Sequence, residues 1–216
     1  MTGTDLFRNS THRQLRWCFL CTLAVFSVGC SRYQTRSEVA ISSELKAYAA
    51  CDFSDGLQIA QIDPLAPDVT ARTVDTAKGP KQVAILSGAR IMFAYPNTDF
   101  YANVKVEKLP AAKYPQLKQI LIENLEYPLT SLPSVKRNTT VAKMLVGMDA
   151  YGIDRDRLEG GTIGIYLLFD NRRNMAITIY FLNQDPSRRK FQTLDEYRRY
   201  RDHFLLAYAS CIPHGS

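Results

Sequence analysis

The sequence predicts an α+β fold: a mostly antiparallel sheet with a central helix and a C-terminal helix packed on it, preceded by a signal peptide. Short segments rich in β-branched and alternating apolar residues recur between residues 57 and 182, which is typical of strands. Apolar residues at helical spacing occur twice, at 117–125 and 194–211. The first helix therefore interrupts the strands and the second one follows them.

The bulk composition is that of a globular protein. Hydrophobic residues make up 46% of the 216 residues and charged residues 22%, which excludes a disordered chain and a polytopic membrane protein. The net charge is +6, and without residues 1–29 there remain 24 basic and 20 acidic residues, or +4. This excess is too small to predict a nucleic-acid partner.

The first segment has the order of charge and apolarity expected of a secretory signal. Arg8, Arg13 and Arg16 precede residues 17–28, a run of 12 residues without a charge. A membrane-spanning helix needs about 20 such residues, so this run instead suits the apolar region of a signal peptide. It ends in Phe-Ser-Val-Gly-Cys at residues 26–30.

These five residues resemble the lipobox of bacterial lipoproteins, except that Ser27 stands where leucine is usual. The resemblance implies that Cys30 is acylated after cleavage behind Gly29, and that Ser31 is compatible with delivery to the outer membrane. The chain then divides into a signal peptide (1–29), a lipidated tether (30–36) and one α+β domain (37–216). Plain secretion and an uncleaved helix of a cytosolic protein are the alternatives.

Cleavage would leave two cysteines besides Cys30, namely Cys51 and Cys211. In an oxidising compartment such an even pair predicts a disulfide. A bond between them would close a loop of roughly 160 residues and stabilise the fold by up to about 5 kcal/mol. Two free buried thiols remain the main alternative, and redox chemistry is disfavoured because the pair is not C-x-x-C.

The first half of the domain predicts one short helix followed by strands. Ser37 could cap a helix within residues 37–50. The next five segments predict strands: 57–63, 69–76, 82–86, 89–95 and 101–109. The last of these alternates, with Val104 and Val106 on one face and Lys105 and Glu107 on the other. A turn signal at 96–99 joins the last two strands into a hairpin.

The second half predicts a helix, three strands and a closing helix. Pro115 suits a helix start, and Pro128 is expected to limit that helix. Residues 141–148 predict a strand and 151–161 a charged loop. Residues 162–169 and 175–182 are the clearest strands, joined as a hairpin and apolar enough for the sheet centre. Thr193 and Glu196 form a capping box for the last helix.

This order resembles the small α/β/α sandwiches of the PsbP type. The resemblance is carried by Phe-Ala-Tyr-Pro at residues 93–96, the hairpin 162–182 and the closing helix 194–211. It implies a role in protein binding or assembly and implies no catalytic residue. Lipocalin-like and cystatin-like sheets are the alternative folds.

Six basic residues around the last helix could form one surface for anionic lipid, lipopolysaccharide or an acidic partner: Arg188, Arg189, Lys190, Arg198, Arg199 and Arg201. A solvated helix face is the alternative. Asp154, Asp156 and Glu159 could meet a hard cation, but the full ligand set of a calcium loop is missing. No catalytic residue, metal site or cofactor is therefore predicted. His203 flanks the apolar face of the last helix and His214 lies in the tail, and triads and zinc sites usually use better-placed histidines.

Three functions remain open at this point. The leading one is a non-enzymatic, lipid-anchored module that binds an envelope protein or other envelope component on the periplasmic side. A carrier of a small apolar ligand would need a deep apolar cavity. An enzyme with an unrecognised site would show convergent polar groups with shifted pKa values in a cleft, whereas a flat exposed patch would favour the binding module.

Overall fold

The structure is a computed structural model that describes residues 41–66, 68–96, 101–131, 143–158, 161–183, 187 and 189–212. Contacts divide the chain into two units, Met1–Ser37 and Glu38–Ser216, and every described residue belongs to the second unit. The signal peptide, Cys30, Ser37, Glu159, Arg188 and His214 lie outside the described residues.

The architecture is mixed α+β, as predicted. In chain order the elements are α1 (Ser43–Ala47), β1 (Gln58–Pro64), β2 (Ala71–Val74), β3 (Lys81–Ala84), β4 (Ser87–Ala94), β5 (Ala102–Lys108), α2 (Tyr114–Ser131), β6 (Lys143–Leu145), β7 (Met148–Asp154), β8 (Gly161–Asp170), β9 (Met175–Asn183) and α3 (Leu194–Cys211). Seven strands form one antiparallel sheet in the order β1-β4-β5-β9-β8-β7-β6, while β2 and β3 pair separately.

The two clearest predicted strands lie at the centre of the sheet. β9 is the fourth strand of seven and β8 the fifth, and each is hydrogen-bonded on both sides. Their apolar side chains are buried on both faces, which explains why neither sequence alternates. The predicted hairpin between β4 and β5 also forms, with Ile91 opposite Val104.

One face of the sheet packs against α1 and α3. Tyr197, Phe204 and Tyr208 of α3 are fully buried there. The Phe204 ring lies 5.4 Å from the Phe181 ring of β9 and stacks 5.2 Å from Phe53. Full burial of such a side chain contributes roughly 2 kcal/mol to stability. This face holds the larger of the two cores and most of the aromatic rings.

The other face packs partly against α2 and the β2–β3 hairpin. Leu117, Leu121 and Leu125 of α2 form a second core with Leu167 and Phe169 of β8. Val74 and Val83 from the hairpin and Tyr114 from α2 complete it. This second core covers the β8 side of the face.

Two boundaries differ from the sequence prediction. α2 continues through Pro128 to Ser131, because a proline in the last turn removes only one backbone hydrogen bond. Residues 151–154, predicted to be loop, extend β7 and pair with β8. Val146 and Gly147 instead form the turn between β6 and β7, both at positive φ.

The helix caps are partly as predicted. Thr193 Oγ1 accepts from the backbone N–H of Glu196 at 3.1 Å, whereas the Glu196 carboxylate accepts from the N–H of Gln192, one residue before the cap. The short helix α1 is capped by Ser42, whose hydroxyl accepts from the N–H of Leu45.

Candidate functional site

Polar side chains occupy the part of the second sheet face that spans β4, β5 and β9. Arg90 pairs in register with Lys105, and Lys105 with Thr178. Their chain neighbours Ile91, Val104 and Ile179 belong to the opposite core, so the side-chain alternation of a strand places all three on the second face. We call the polar sheet face the set Arg90, Met92, Asn103, Lys105, Thr178 and Tyr180.

A buried carboxylate lies at one end of this surface. Glu107 is fully buried and accepts two hydrogen bonds from Arg72 of β2, from Nε at 2.7 Å and from Nη2 at 2.9 Å. Lys105 Nζ lies 3.4 Å from the same carboxylate. The bidentate pair joins the β2–β3 hairpin to β5 and occupies both oxygens of Glu107.

Burial and neighbouring cations shift the pKa values on this surface. Burial lowers the pKa of Lys105 below its ordinary value, and Arg72 and Arg90 act in the same direction, while Glu107 opposes them. Burial also raises the pKa of Tyr180. The surface is therefore electropositive and partly desolvated, which strengthens its attraction for a negative group.

Several polar groups here have no partner among the described residues. Thr178 is 4% exposed, and its Oγ1 makes no hydrogen bond within that part of the chain. The same holds for the buried Oδ1 of Asn103. Buried polar atoms are nearly always hydrogen-bonded, so two neighbouring exceptions call for an explanation such as a ligand.

One feature of the sequence points to this surface. Asn103, Lys105 and Glu107 alternate with valines on β5, which predicts that one face of that strand is polar. Such a pattern is usually a solvated strand face. Only the register with β4 and β9 brings Arg90, Thr178 and Tyr180 beside it.

The described residues of the predicted basic surface differ in exposure and in their partners. Arg198 and Arg199 are exposed on α3, where Arg198 pairs with Asp195 at 3.1 Å. Lys190 is exposed and its Nζ lies 4.3 Å from the centre of the Tyr95 ring. Arg189 is half-buried, and its Nε has no hydrogen-bond partner in the described part of the chain.

Arg201 departs from the prediction because it is an interior residue. Its side chain is 14% exposed and its guanidinium pairs with the carboxylate of Asp154. Asp154 Oδ1 also accepts from the hydroxyls of Tyr166 at 2.8 Å and Tyr197 at 2.6 Å. This network joins α3 to β7 and β8, so most of the Arg201 side chain is engaged inside the fold.

The same network uses the first carboxylate of the possible cation site. Asp154 is engaged by an arginine and two tyrosines, while Asp156 is exposed on the following residues. Across the described ranges, no three His, Cys, Asp or Glu side chains lie close enough together to hold a metal ion. His203 is exposed on α3.

The predicted cysteine pair is bonded in the structure. Cys51 and Cys211 form a disulfide with their Cα atoms 5.5 Å apart. Nearby, the Tyr208 hydroxyl donates to the backbone carbonyl of Tyr48 at 2.8 Å. The disulfide and this hydrogen bond both join the end of α3 to the segment that follows α1.

A small cavity of about 140 Å³ lies beside the β8–β9 turn. It is lined by Val146, Gly147, Met148, Asp170, Asn171, Arg172 and Arg173. Its lining mixes polar and apolar side chains, and the Asp170 carboxylate is already bonded to Tyr48 and Arg173. At about 140 Å³ this cavity is smaller than typical ligand pockets, which measure roughly 300–1,000 Å³.

Within the described residues, none of the helices combines the length and apolarity needed to cross a bilayer. Comparison with known proteins finds no matching family model, no matching curated protein and no matching solved structure.

Proposed function

We propose that this chain is a lipid-anchored, periplasm-facing binding module without enzymatic activity. Acylated Cys30 would hold it in the membrane, and Ser31 favours the outer membrane over the inner one. A single acyl chain holds a protein marginally and two or three hold it stably, at about 0.8 kcal/mol per buried CH₂. The resemblance to PsbP-type sandwiches stays a prediction and points to the same class of role.

The observation that supports binding is the polar sheet face. It carries Arg90 and Lys105 beside the Arg72–Glu107 pair, and it includes buried polar atoms without partners among the described residues. Such a surface attracts an anionic envelope component. This places the proposed binding surface on the sheet, whereas the sequence had pointed to the last helix.

The geometry favours binding over catalysis. Lys105 has a lowered pKa, which an enzyme could use. However, both oxygens of Glu107, the carboxylate beside Lys105, are occupied by Arg72. Cations and hydroxyls that converge on one surface hold a negative group, and the Glu107 carboxylate beside them is already engaged by Arg72.

The anchor is tested by intact mass and membrane partition of the full chain in a bacterial host, beside Cys30→Ala. We expect a mass for residues 30–216 plus acyl chains, and an unprocessed Cys30→Ala protein. Because Trp17 is the single tryptophan, loss of indole fluorescence reports cleavage as well. An uncut and soluble wild-type chain would overturn the lipoprotein proposal.

The binding surface is tested by site-specific photo-crosslinking in intact cells. Gln61 is exposed on β1 in the same register row as Met92 and Asn103, whereas Arg199 is exposed on α3. A photoreactive residue at position 61 should give a discrete adduct that is absent at position 199. Adducts at position 199 alone would move the binding surface to α3.

A further inference from the structure

We infer that the polar sheet face binds a phosphate group, held between Arg90, Lys105, Thr178 and Tyr180. The inference rests on the proposed function and names the chemistry of its ligand. It depends on the charge balance of the surface, on the hydroxyl groups beside the cations and on their arrangement over three strands.

The charge balance leaves a cation to be neutralised. Arg72 and Lys105 both pair with the buried carboxylate of Glu107, and Arg90 adds a third cation in register beside Lys105. Asp63 of β1 lies in the register row of Arg90, but its carboxylate accepts from the Gln61 amide. Even with Asp63 counted, one positive charge remains. Arg90 itself forms no ion pair within the described residues.

Hydroxyl donors lie beside these cations. Thr178 is the register partner of Lys105, and Tyr180 is the register partner of Asn103 one row further along β9. The Thr178 hydroxyl is buried without a partner in the described chain. No described residue hydrogen-bonds the Tyr180 hydroxyl. Both groups can therefore donate to a bound anion at no cost to an existing bond.

The arrangement of donors fits phosphate better than carboxylate. Arg90, Lys105 and Thr178 stand on three adjacent strands, which are about 4.8 Å apart, and Tyr180 adds a donor from the next row. A carboxylate is best held by the planar fork of one arginine, as Arg72 holds Glu107. A phosphate offers oxygens in several directions and can accept from all four side chains.

The test is calorimetric titration of inorganic phosphate into the full chain in detergent micelles. We expect saturable binding at one site for the wild type. Arg90→Met and Lys105→Met should each weaken it at least about tenfold, and Thr178→Val and Tyr180→Phe by about threefold to tenfold. Arg199→Met is the matched control, because it removes one exposed arginine from α3.

Hydroxyl variants keep the test falsifiable if a charge variant misfolds. Thr178→Val and Tyr180→Phe change neither charge nor shape appreciably, and circular dichroism checks their folding. Equal weakening by Arg199→Met would show general charge attraction and overturn the site. Unchanged binding in Thr178→Val and Tyr180→Phe, or tighter binding of acetate than of phosphate, would overturn it as well.

Two further probes distinguish the source of the phosphate. Short-chain phosphatidylglycerol that competes with inorganic phosphate, while short-chain phosphatidylcholine does not, would indicate an anionic lipid headgroup. Competition by neither lipid would indicate a free phosphate compound. Both results support a phosphate site.

The inference and the proposed function can fail separately. Absence of phosphate binding together with a crosslink from position 61 would overturn the ligand chemistry and leave the binding module in place. Phosphate binding by a chain that is neither cleaved nor acylated would overturn the anchor and leave the site in place.

Discussion

The sheet face beneath α1 and α3 and the face beneath α2 share the same strands but differ in what their side chains contact. On the first face Phe93, Ile179 and Phe181 meet the aromatic side chains of α3. On the second face α2 reaches Leu167 and Phe169, whereas Arg90, Lys105 and Tyr180 lie outside its core. The larger core therefore lies on one face, and the proposed ligand-binding residues lie on the other.

The largest expected effect comes from the first face. Phe204→Ala should lower the free energy of unfolding by about 3 to 5 kcal/mol, because it leaves a cavity among buried rings. The Phe204 ring lies within 6 Å of the rings of Phe53, Phe93, Phe181 and Tyr208. Urea unfolding followed by circular dichroism measures the loss.

Leu206→Ala is the control, since Leu206 is 54% exposed on the same helix. An equal loss of unfolding free energy in Phe204→Ala and Leu206→Ala would contradict the prediction that the buried rings of the first face contribute most to stability.

The second face should respond most to loss of its buried carboxylate. Glu107→Gln leaves Arg72 and Lys105 facing a neutral amide, which should cost about 3 kcal/mol of unfolding free energy. The control is Glu123→Gln, because the exposed Lys78–Glu123 pair at 3.8 Å should contribute less than about 1 kcal/mol. A Glu107→Gln protein as stable as the Glu123→Gln protein would show that the Arg72–Glu107 pair is energetically unimportant.

The buried tyrosines and Lys105 should respond to alkaline pH with opposite sign. Burial raises the pKa of Tyr166 and Tyr197 on the first face, and burial with a hydrogen bond to Asp55 raises that of Tyr95 to about 12. Unfolded tyrosines lose their protons near pH 10. Above that pH the unfolding free energy should fall by about 1.4 kcal/mol per pH unit for each such tyrosine.

Lys105 contributes in the other direction, since its folded pKa is lowered. Between that lowered pKa and about 10.4, the unfolded chain binds a proton that the folded chain has released, so stability rises with pH. Urea unfolding at pH 8 to 11 checks both predictions. Tyr197→Phe should reduce the fall of the unfolding free energy with pH, and Lys105→Met should remove its rise. A Lys105→Met protein with the wild-type pH profile would contradict the second prediction.

Local sequence determines the elements that depend on neighbouring residues. The Thr193 cap, the apolar spacing of α3 and the β8–β9 hairpin are all visible in the printed sequence, because each depends on residues a few positions apart. The end of α2 is not visible in the same way. Pro128 disfavours helix locally, but the loss of one hydrogen bond is outweighed by the rest of the helix.

The end of β7, at residues 151–154, is also not visible in the local sequence. The charge of residues 151–161 and the two glycines that end this segment predict a loop. Residues 151–154 nevertheless pair with β8, and a Cβ at Gly152 would lie 2.0 Å from the Tyr166 ring. The Tyr166 ring therefore packs against the backbone where a larger residue would stand. Gly152 therefore allows close packing inside the sheet, whereas glycine in a sequence is usually taken to indicate a turn.

Periodicity and caps are local properties, so they predict the α+β class, most strands and the helix that closes the domain. The pairing of Arg201 with Asp154 depends on tertiary packing, and so does the alignment of Arg90, Lys105, Thr178 and Tyr180 on one face. Alternation states which residues share a face of one strand. Which strands become neighbours, and what covers their face, is set by packing between segments far apart in the chain.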